Sequence, residues 1–110
     1  MISKQLLKGT LKTIILKLLE EQDRMYGYQI TQEVKTLSAG QLELTEAALY
    51  PTLHKLESEG FLTTEKEMVN GRTRKYYSLT RTGKKERANR LSEFDEFVRV
   101  INLILKPGVN

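Results

Sequence analysis

A charged β-hairpin is the part of this sequence with the clearest chemical potential. Residues 61–83 contain two alternating runs that flank an Asn-Gly pair at 70–71. Both residues of such a turn must tolerate positive φ, so Asn-Gly between β-prone runs is a strong hairpin signal. Arg72, Arg74 and Lys75 follow the turn directly. The pattern predicts a hairpin that presents positive charge at its tip and outgoing strand, where it can contact a phosphate backbone.

The positive charge of the whole chain is concentrated in the same region. Of a net charge of +4, residues 61–90 carry +6 through nine Lys/Arg and three Glu, and the rest carries −2. Such a concentration is typical of a phosphate binder. For residues 84–90 alone, a solvated helix face is the favoured interpretation. Arg72 and Arg74 are the better candidates because an exposed turn offers them few structural partners, although Glu65 and Glu67 on the incoming strand can pair with them.

Composition excludes several classes of function. The chain has 110 residues, no cysteine and one histidine, so it is one small domain without a disulfide framework, a thiolate zinc site or a His-dependent triad. No nucleophile–base pair or phosphate-cradling glycine loop is visible, so we expect no enzyme, no metal and no cofactor. Lysines interrupt the apolar N-terminal stretch, which argues against a signal peptide, a membrane span or a membrane partner. The sequence predicts a soluble cytoplasmic protein.

Hydrophobic periodicity places four helices around the hairpin. They are predicted over residues 5–21, about 26–36, 45–60 and 81–106. Thr45 is a good N-cap for the third helix and Gly60 a C′ residue, while Pro51 interrupts its hydrogen-bond ladder. We expect one helix with a distorted start. The fold class is therefore mainly α with a small β-hairpin (α+β), a winged helix-turn-helix.

This order of elements predicts DNA binding. In a winged helix the third helix enters the major groove, while the hairpin, or wing, grips the adjacent backbone. The candidate DNA-binding residues are Thr45, Tyr50, Thr52, His54 and Lys55 on the third helix, and Arg72, Arg74 and Lys75 on the wing. None of the helix residues is an Arg or Asn suited to bidentate base contacts, so we expect modest direct readout and more weight on backbone contacts and DNA shape.

Two of the helix residues have an ordinary structural alternative. The Tyr50 hydroxyl lies near the start of the third helix, where it can donate to a phosphate. It is equally compatible with a half-buried tyrosine that braces the hairpin. His54 is interpreted as a solvated residue rather than a pH switch, and the tyrosines at 76–77 as packing rather than base-stacking residues.

The last helix requires a partner. Leu91, Phe94, Val98, Ile101 and Leu105 follow the 3,4 spacing of a coiled-coil seam. The seam can pack on the first helix or on another subunit. One winged-helix core leaves too little surface to cover both sides of so long a helix, so we predict a homodimer, with residues 1–80 as DNA-binding domain and residues 81–110 as dimerisation helix. Phe94 and Phe97 are tentative effector-binding residues, although simple dimer packing is favoured.

Several short motifs add a family resemblance. They are Tyr26-Gly27-Tyr28 with Ile30, Leu49-Tyr50-Pro51 with Leu53, Leu56-Glu57, Gly60-Phe61-Leu62, Gly71-Arg72, Arg74-Lys75-Tyr76-Tyr77, Leu79-Thr80 and Gly83. In this order and spacing, over about residues 7–105, the chain resembles the PadR family of bacterial transcriptional regulators. The single terminal helix is similar to that of the short subgroup, in which it builds a homodimer.

The resemblance implies a repressor that binds double-stranded DNA at a near-palindromic operator and is released by a small, frequently aromatic compound. It also makes Pro51 expected. Two alternatives remain open from the residues alone. One is a winged helix that binds an acidic protein partner, and the other is a small-molecule-binding dimer without DNA affinity.

Overall fold

The computed structural model describes residues 2–108 and contains four helices and a three-stranded antiparallel sheet. In chain order the elements are α1 (Lys4–Glu21), β1 (Met25–Tyr26), α2 (Gly27–Leu37), α3 (Glu46–Ser58), β2 (Leu62–Val69), β3 (Arg72–Leu79) and α4 (Arg81–Leu105). The predicted α+β winged-helix fold is confirmed. Residue 1 and residues 109–110, the outer ends of the two predicted domains, lie outside the described residues.

The core forms where the apolar faces of the first three helices meet the sheet. Leu11, Ile15 and Leu19 of α1 are buried as their spacing predicts, and Ile30 does the same for α2. The predicted stripe of α3, which comprises Leu49, Leu53 and Leu56, is fully buried. Burying a side chain of this size stabilises the fold by about 1.5–3 kcal/mol. The three helices therefore hold the wing on a rigid base.

The start of the second helix differs from the prediction. Tyr26 belongs to β1, and α2 begins at Gly27. Met25 and Tyr26 pair with Tyr77 and Tyr76 of β3, so the sheet has the order β1-β3-β2. A strand of two residues is too short to show an alternating pattern, and its position depends on a partner some 50 residues away in the chain.

The predicted hairpin is confirmed in detail. Asn70 and Gly71 have φ of 50° and 78°, and Val69 lies opposite Arg72 across a two-residue loop. These positive φ values are those of a type I′ turn, which matches the twist of the flanking strands. Leu62 lies opposite Leu79 at the other end of the hairpin. The register of the wing is thus set at its tip by the turn.

The third helix is continuous across its proline. The side-chain oxygen of Thr45 accepts a hydrogen bond from the Ala48 N–H at 3.2 Å, which confirms the predicted N-cap. Residues Glu46–Ser58 form one α-helix that includes Pro51, so the prediction of a single helix is confirmed.

A tight turn ends α3. Gly60 has φ of 83°, a conformation that favours glycine. The Gly60 N–H donates to the Glu57 carbonyl at 3.0 Å and the Phe61 N–H to the Leu56 carbonyl at 2.9 Å. This pair of bonds is a Schellman motif, and it confirms Gly60 as the predicted C′ residue.

The same turn is bonded to the start of α4. The Gly60 carbonyl accepts from the Thr80 hydroxyl at 2.6 Å and from the Thr82 hydroxyl at 2.9 Å. The Phe61 carbonyl accepts from the Thr80 N–H at 3.1 Å. Gly83 packs so closely on Phe61 that a β-carbon would overlap the Phe61 carbonyl oxygen. We call these five residues the α3–α4 junction, because they fix the end of α3, both ends of the wing and the start of α4 together.

The fourth helix packs on α1 over part of its length only. Arg87 of α4 forms an ion pair with Glu20 of α1. Farther along, Phe97, Ile104 and Leu105 are 59%, 68% and 69% exposed. With 25 residues, α4 is about 37 Å long, so its C-terminal half extends past the core. No helix in the described range 2–108 is long and apolar enough to cross a membrane.

Gly83→Ala tests the α3–α4 junction. The added methyl overlaps a backbone carbonyl, which cannot rotate away, so we expect the free energy of unfolding to fall by about 1–3 kcal/mol. Gly9→Ala is the matched control, since Gly9 also lies in a helix and has open space around its β-carbon position. There the change should stabilise by about 0.5–1 kcal/mol. Urea denaturation measures the free energy of unfolding of both variants. Equal values for Gly83→Ala and Gly9→Ala would contradict the close packing at the junction.

Candidate nucleic-acid interface

A polar groove runs between the wing, the start of α2 and α3. It has a volume of about 600 Å³. β1 pairs with only two residues of β3, so the distal half of β3 has no strand on that side and the groove opens there. Its wall contains Tyr28 from α2, Tyr50 and His54 from α3, and Arg72, Arg74 and Lys75 from the wing. We call it the wing groove.

Five of the eight predicted DNA-binding residues therefore line one groove. The other three, Thr45, Thr52 and Lys55, lie on α3 outside its lining. Thr45 and Lys55 are exposed and Thr52 is half-buried. The Thr52 hydroxyl donates to the Ala48 carbonyl at 3.1 Å, so one of its hydrogen bonds is directed into the helix. The structure thus places the predicted residues on two adjacent surfaces, the groove and the α3 face beside it.

Tyr50 packs closely against Gly27 at the start of α2. A β-carbon on Gly27 would overlap the Tyr50 hydroxyl, so the missing side chain lets α2 approach α3 closely. Gly27 therefore has a packing role. The Tyr50 ring packs against the buried core, and its ring centroid lies 6.3 Å from that of His54. The half-buried ring and its position in the groove wall agree with both predicted roles, the brace and the phosphate donor.

The wing cations differ in how they are held. Arg72 is exposed and, among the described residues, has no carboxylate within ion-pair distance. The Arg74 guanidinium lies 4.0 Å from the Tyr26 ring centroid. Lys75 Nζ is 3.5 Å from Glu57 Oε1. The expectation of few structural partners therefore holds for Arg72 and is wrong for Arg74. Lys75 also has a partner, because β3 is the central strand and its side chains meet neighbours from α3 and β1.

The two wing carboxylates bind a cation that the sequence did not indicate. Arg24 Nη1 donates to Glu65 Oε1 and to Glu67 Oε1, both at 2.7 Å. Pairing of these glutamates with the wing cations was therefore a wrong expectation. The hydrogen bond from Arg24 holds the pKa of the Glu67 carboxyl below its usual value, although partial burial opposes this. Arg24 precedes β1 and is about 40 residues from its partners in the chain, so no local pattern could reveal it.

Packing explains the paired tyrosines of β3. Tyr77 is almost fully buried, and the Tyr76 ring meets the Tyr26 ring edge-on with centroids 5.5 Å apart. The predicted packing role is confirmed. Tyr28, by contrast, is 57% exposed in the first turn of α2. Tyr28 lines the wing groove but was not among the predicted DNA-binding residues, although it directly follows the glycine that opens α2.

A second, apolar groove lies between α1 and α4. Its volume is about 590 Å³. Leu91, Phe94 and Val98 of the predicted seam line it together with Phe97, whereas Ile101 and Leu105 lie farther along α4. Apolar side chains of α1, of the last turn of α2 and of the loop after it contribute to the opposite wall, among them Leu6, Leu7, Ile14, Leu37 and Leu42. We call it the apolar groove.

Comparison with known proteins places the fold in a family. Residues 15–89 match the Transcriptional regulator PadR-like family. This chain belongs to the PadR-like family. It is 32% identical over 107 residues to an uncharacterised protein from Lysinibacillus sphaericus, with 96% of this chain and 97% of that protein covered.

Solved structures agree with this assignment. A transcriptional regulator from Clostridium thermocellum is 29% identical, with a TM-score of 0.87 and coverage of 96% of this chain and 100% of that one. A PadR family transcriptional regulator from Eggerthella lenta is 28% identical, with a TM-score of 0.75 and coverage of 94% and 85%. The protein is therefore a transcriptional regulator of the PadR-like family, not an enzyme, and membership implies that it binds DNA.

Proposed function

We propose that this PadR-like protein is a homodimeric cytoplasmic repressor that binds a near-palindromic operator and is released by a small aromatic effector. The observation that supports DNA binding most directly is the grouping of Arg72, Arg74 and Lys75 with Tyr50 and His54 around the wing groove. Cations that converge with hydroxyl and ring donors on an open groove suit a phosphodiester backbone.

The wing groove and the α3 face beside it make different contacts with DNA in this proposal. The wing groove supplies backbone contacts, which provide affinity and register but little sequence information. Thr45, Thr52 and Lys55 on the α3 face, together with His54, which also lines the wing groove, face the major groove and make the contacts to base edges. Their short or flexible side chains favour modest direct readout, supplemented by DNA shape.

Dimerisation is supported by the apolar side chains that α4 leaves in water. Phe94, Phe97 and Val98 line the apolar groove, and Ile101 and Leu105 extend the seam toward the end of the helix. An exposed apolar surface of this extent marks an interaction site. A second α4 laid along the groove buries it, with residues 1–80 of each copy remaining as the DNA-binding unit. Two α3 helices then enter successive major grooves about 34 Å apart.

The proposed effector site lies at the same interface. Phe94 and Phe97 both line the apolar groove, whose other wall is formed by aliphatic side chains of α1. Such a wall suits a planar apolar compound, because aromatic rings bind in offset or edge-to-face contact. A compound bound there changes the spacing of the two α4 helices and hence the spacing of the two wings.

Arg72→Ala tests the backbone contacts. Arg72 is exposed, so its loss should leave the fold intact. We expect binding to the duplex upstream of the protein's own gene to weaken about tenfold, and the slope of log K against log salt to fall by about 0.9, as for one lost phosphate contact. Fluorescence anisotropy at several salt concentrations measures both quantities.

Lys8→Ala is the matched control for charge. Lys8 is an exposed cation on α1 that lies outside both grooves, so its loss should change affinity about twofold at most. If Arg72→Ala altered only the preference among sequences, the assignment to the backbone would be wrong. If the wild-type protein bound an acidic protein fragment and no duplex, the wing groove would be a protein-binding site instead.

Val98→Asp tests the dimer. A carboxylate in the apolar seam cannot be buried unpaired, so we expect the variant to sediment as a monomer at micromolar concentration. Ser92→Asp is the control, since Ser92 is exposed on α4 and outside the apolar groove, and that variant should remain a dimer. A wild-type protein that sediments as a monomer under the same conditions would refute the dimer.

The direction of regulation is tested in cells. A reporter fused to the gene's own upstream region should be expressed more strongly without the chain than with it. Lower expression without the chain would identify an activator. Phe97→Ala should leave repression in place and reduce the response to an aromatic effector, because Phe97 lines the proposed site but not the wing groove.

A further inference from the structure

Arg24 bridges the outer side of the wing from one edge of the sheet to the other. It precedes β1, its guanidinium lies 4.0 Å from the Tyr76 ring centroid on β3, and it reaches Glu65 and Glu67 on β2. Its side chain is 38% exposed. One side chain thus spans all three strands.

The strand register places one of the two carboxylates opposite a groove cation. Glu67 lies directly opposite Arg74 in the β2–β3 pair, and Glu65 lies opposite Tyr76. Directly opposite side chains of antiparallel strands share a face and approach within about 5.5 Å at their β-carbons. An ion pair between Glu67 and Arg74 is therefore the local arrangement that the register favours.

The structure shows a different arrangement, in which Glu67 pairs with Arg24. Arg24 holds Glu67 Oε1 at 2.7 Å, while Arg74 instead lies on the Tyr26 ring and has no carboxylate within ion-pair distance among the described residues. Arg74 Nη1 is 3.5 Å from the Tyr76 hydroxyl. The charge of Arg74 still acts on Glu67, whose pKa is lowered first by the hydrogen bond from Arg24 and also by the charges of Arg24 and Arg74. Arg74 is thus the second cation near this carboxylate.

We propose that Arg24 is a positioning residue for DNA binding: by occupying the Glu67 carboxylate it leaves the Arg74 guanidinium free for a phosphate in the wing groove. When Arg24 is lost, Glu67 captures Arg74 across the strands and removes one cation from the groove. Arg24 itself contacts no DNA. The effect on affinity rests on the proposed function, whereas the exchange of partners at Glu67 does not require DNA.

The DNA test compares two double variants. Arg24→Ala should weaken duplex binding about fivefold to tenfold and lower the salt slope by about 0.9, as if Arg74 were removed. In the Arg24→Ala background, Glu67→Gln should restore affinity to within about twofold, because a neutral amide releases Arg74. Glu65→Gln removes the same charge from the wing but lies opposite Tyr76, so in that background it should not restore binding.

Two outcomes would overturn the proposal. Equal rescue by Glu67→Gln and Glu65→Gln would show that only the net charge of the wing matters. Rescue by neither would show that Arg24 contacts phosphate itself or merely supports the fold. Thermal unfolding of each variant separates the last case, since a partly exposed ion pair contributes little to stability and the melting temperatures should stay close to the wild-type value.

A titration without DNA tests the exchange of partners directly. Carboxyl-detected NMR follows the Glu67 pKa, which in the wild-type protein lies below the usual glutamate value. It should remain depressed in Arg24→Ala, because Arg74 takes the place of Arg24, and return to the usual value in Arg24→Ala combined with Arg74→Ala. A return already in Arg24→Ala would contradict the proposal. A failure of DNA binding together with the expected titration would overturn the proposed function and leave the exchange intact.

Discussion

The positions of the wing groove and the apolar groove depend on the hydrogen bonds of the α3–α4 junction. Gly60 ends α3 in a left-handed conformation, and its carbonyl accepts from two hydroxyls at the start of α4. β2 leaves this point and β3 returns to it, since the Thr80 N–H bonds to the Phe61 carbonyl. The third helix α3, the wing and the long terminal helix α4 are therefore fixed to one another within a few residues. A shift at this point would move the wing groove relative to the apolar groove.

The wing has two faces with different tasks. On the face toward α3, Tyr77 is buried in the core and Lys75 forms an ion pair with Glu57. These contacts attach the wing to α3. On the other face, Arg24 and Arg74 alternate with the rings of Tyr76 and Tyr26. The two carboxylates of β2 share one cation from outside the hairpin, which offsets one of their two negative charges. Arg72, Arg74 and Lys75 lie at the tip of the wing and in the wing groove, where we propose the phosphate contacts.

The sequence predicted those features that are encoded locally. The Asn70-Gly71 turn, the Thr45 cap and the Gly60 stop each depend on a few adjacent residues, and each was predicted at its observed position. The wing cations and tyrosines directly follow this turn in the sequence, so the same local pattern predicted their place on the hairpin. What could not be predicted depends on partners distant in the chain. β1 exists only because β3 lies beside it, and the bridge from Arg24 to Glu67 joins residues 43 positions apart.

For α4, too, the sequence predicted a local pattern but not the partners of its side chains. Its 3,4 spacing predicted an apolar seam, and Leu91, Phe94 and Val98 do line a groove against α1. The exposed apolar side chains beyond that groove, such as Ile104 and Leu105, have no partner within the described part of the chain. In the proposed dimer, α4 connects the wing to the apolar surface at its far end, so the spacing of the two wings would follow from how the two α4 helices meet.

The central claim is that this chain binds double-stranded DNA mainly through cations of the wing groove. Titration of the duplex from the gene's own upstream region with the wild-type protein, at salt concentrations between 50 and 200 mM, tests it most directly. Six to ten phosphate contacts from a dimer predict a loss of affinity of about 10³–10⁵ over this range. An affinity that does not change with salt, or no binding at the lowest salt concentration, would contradict the account.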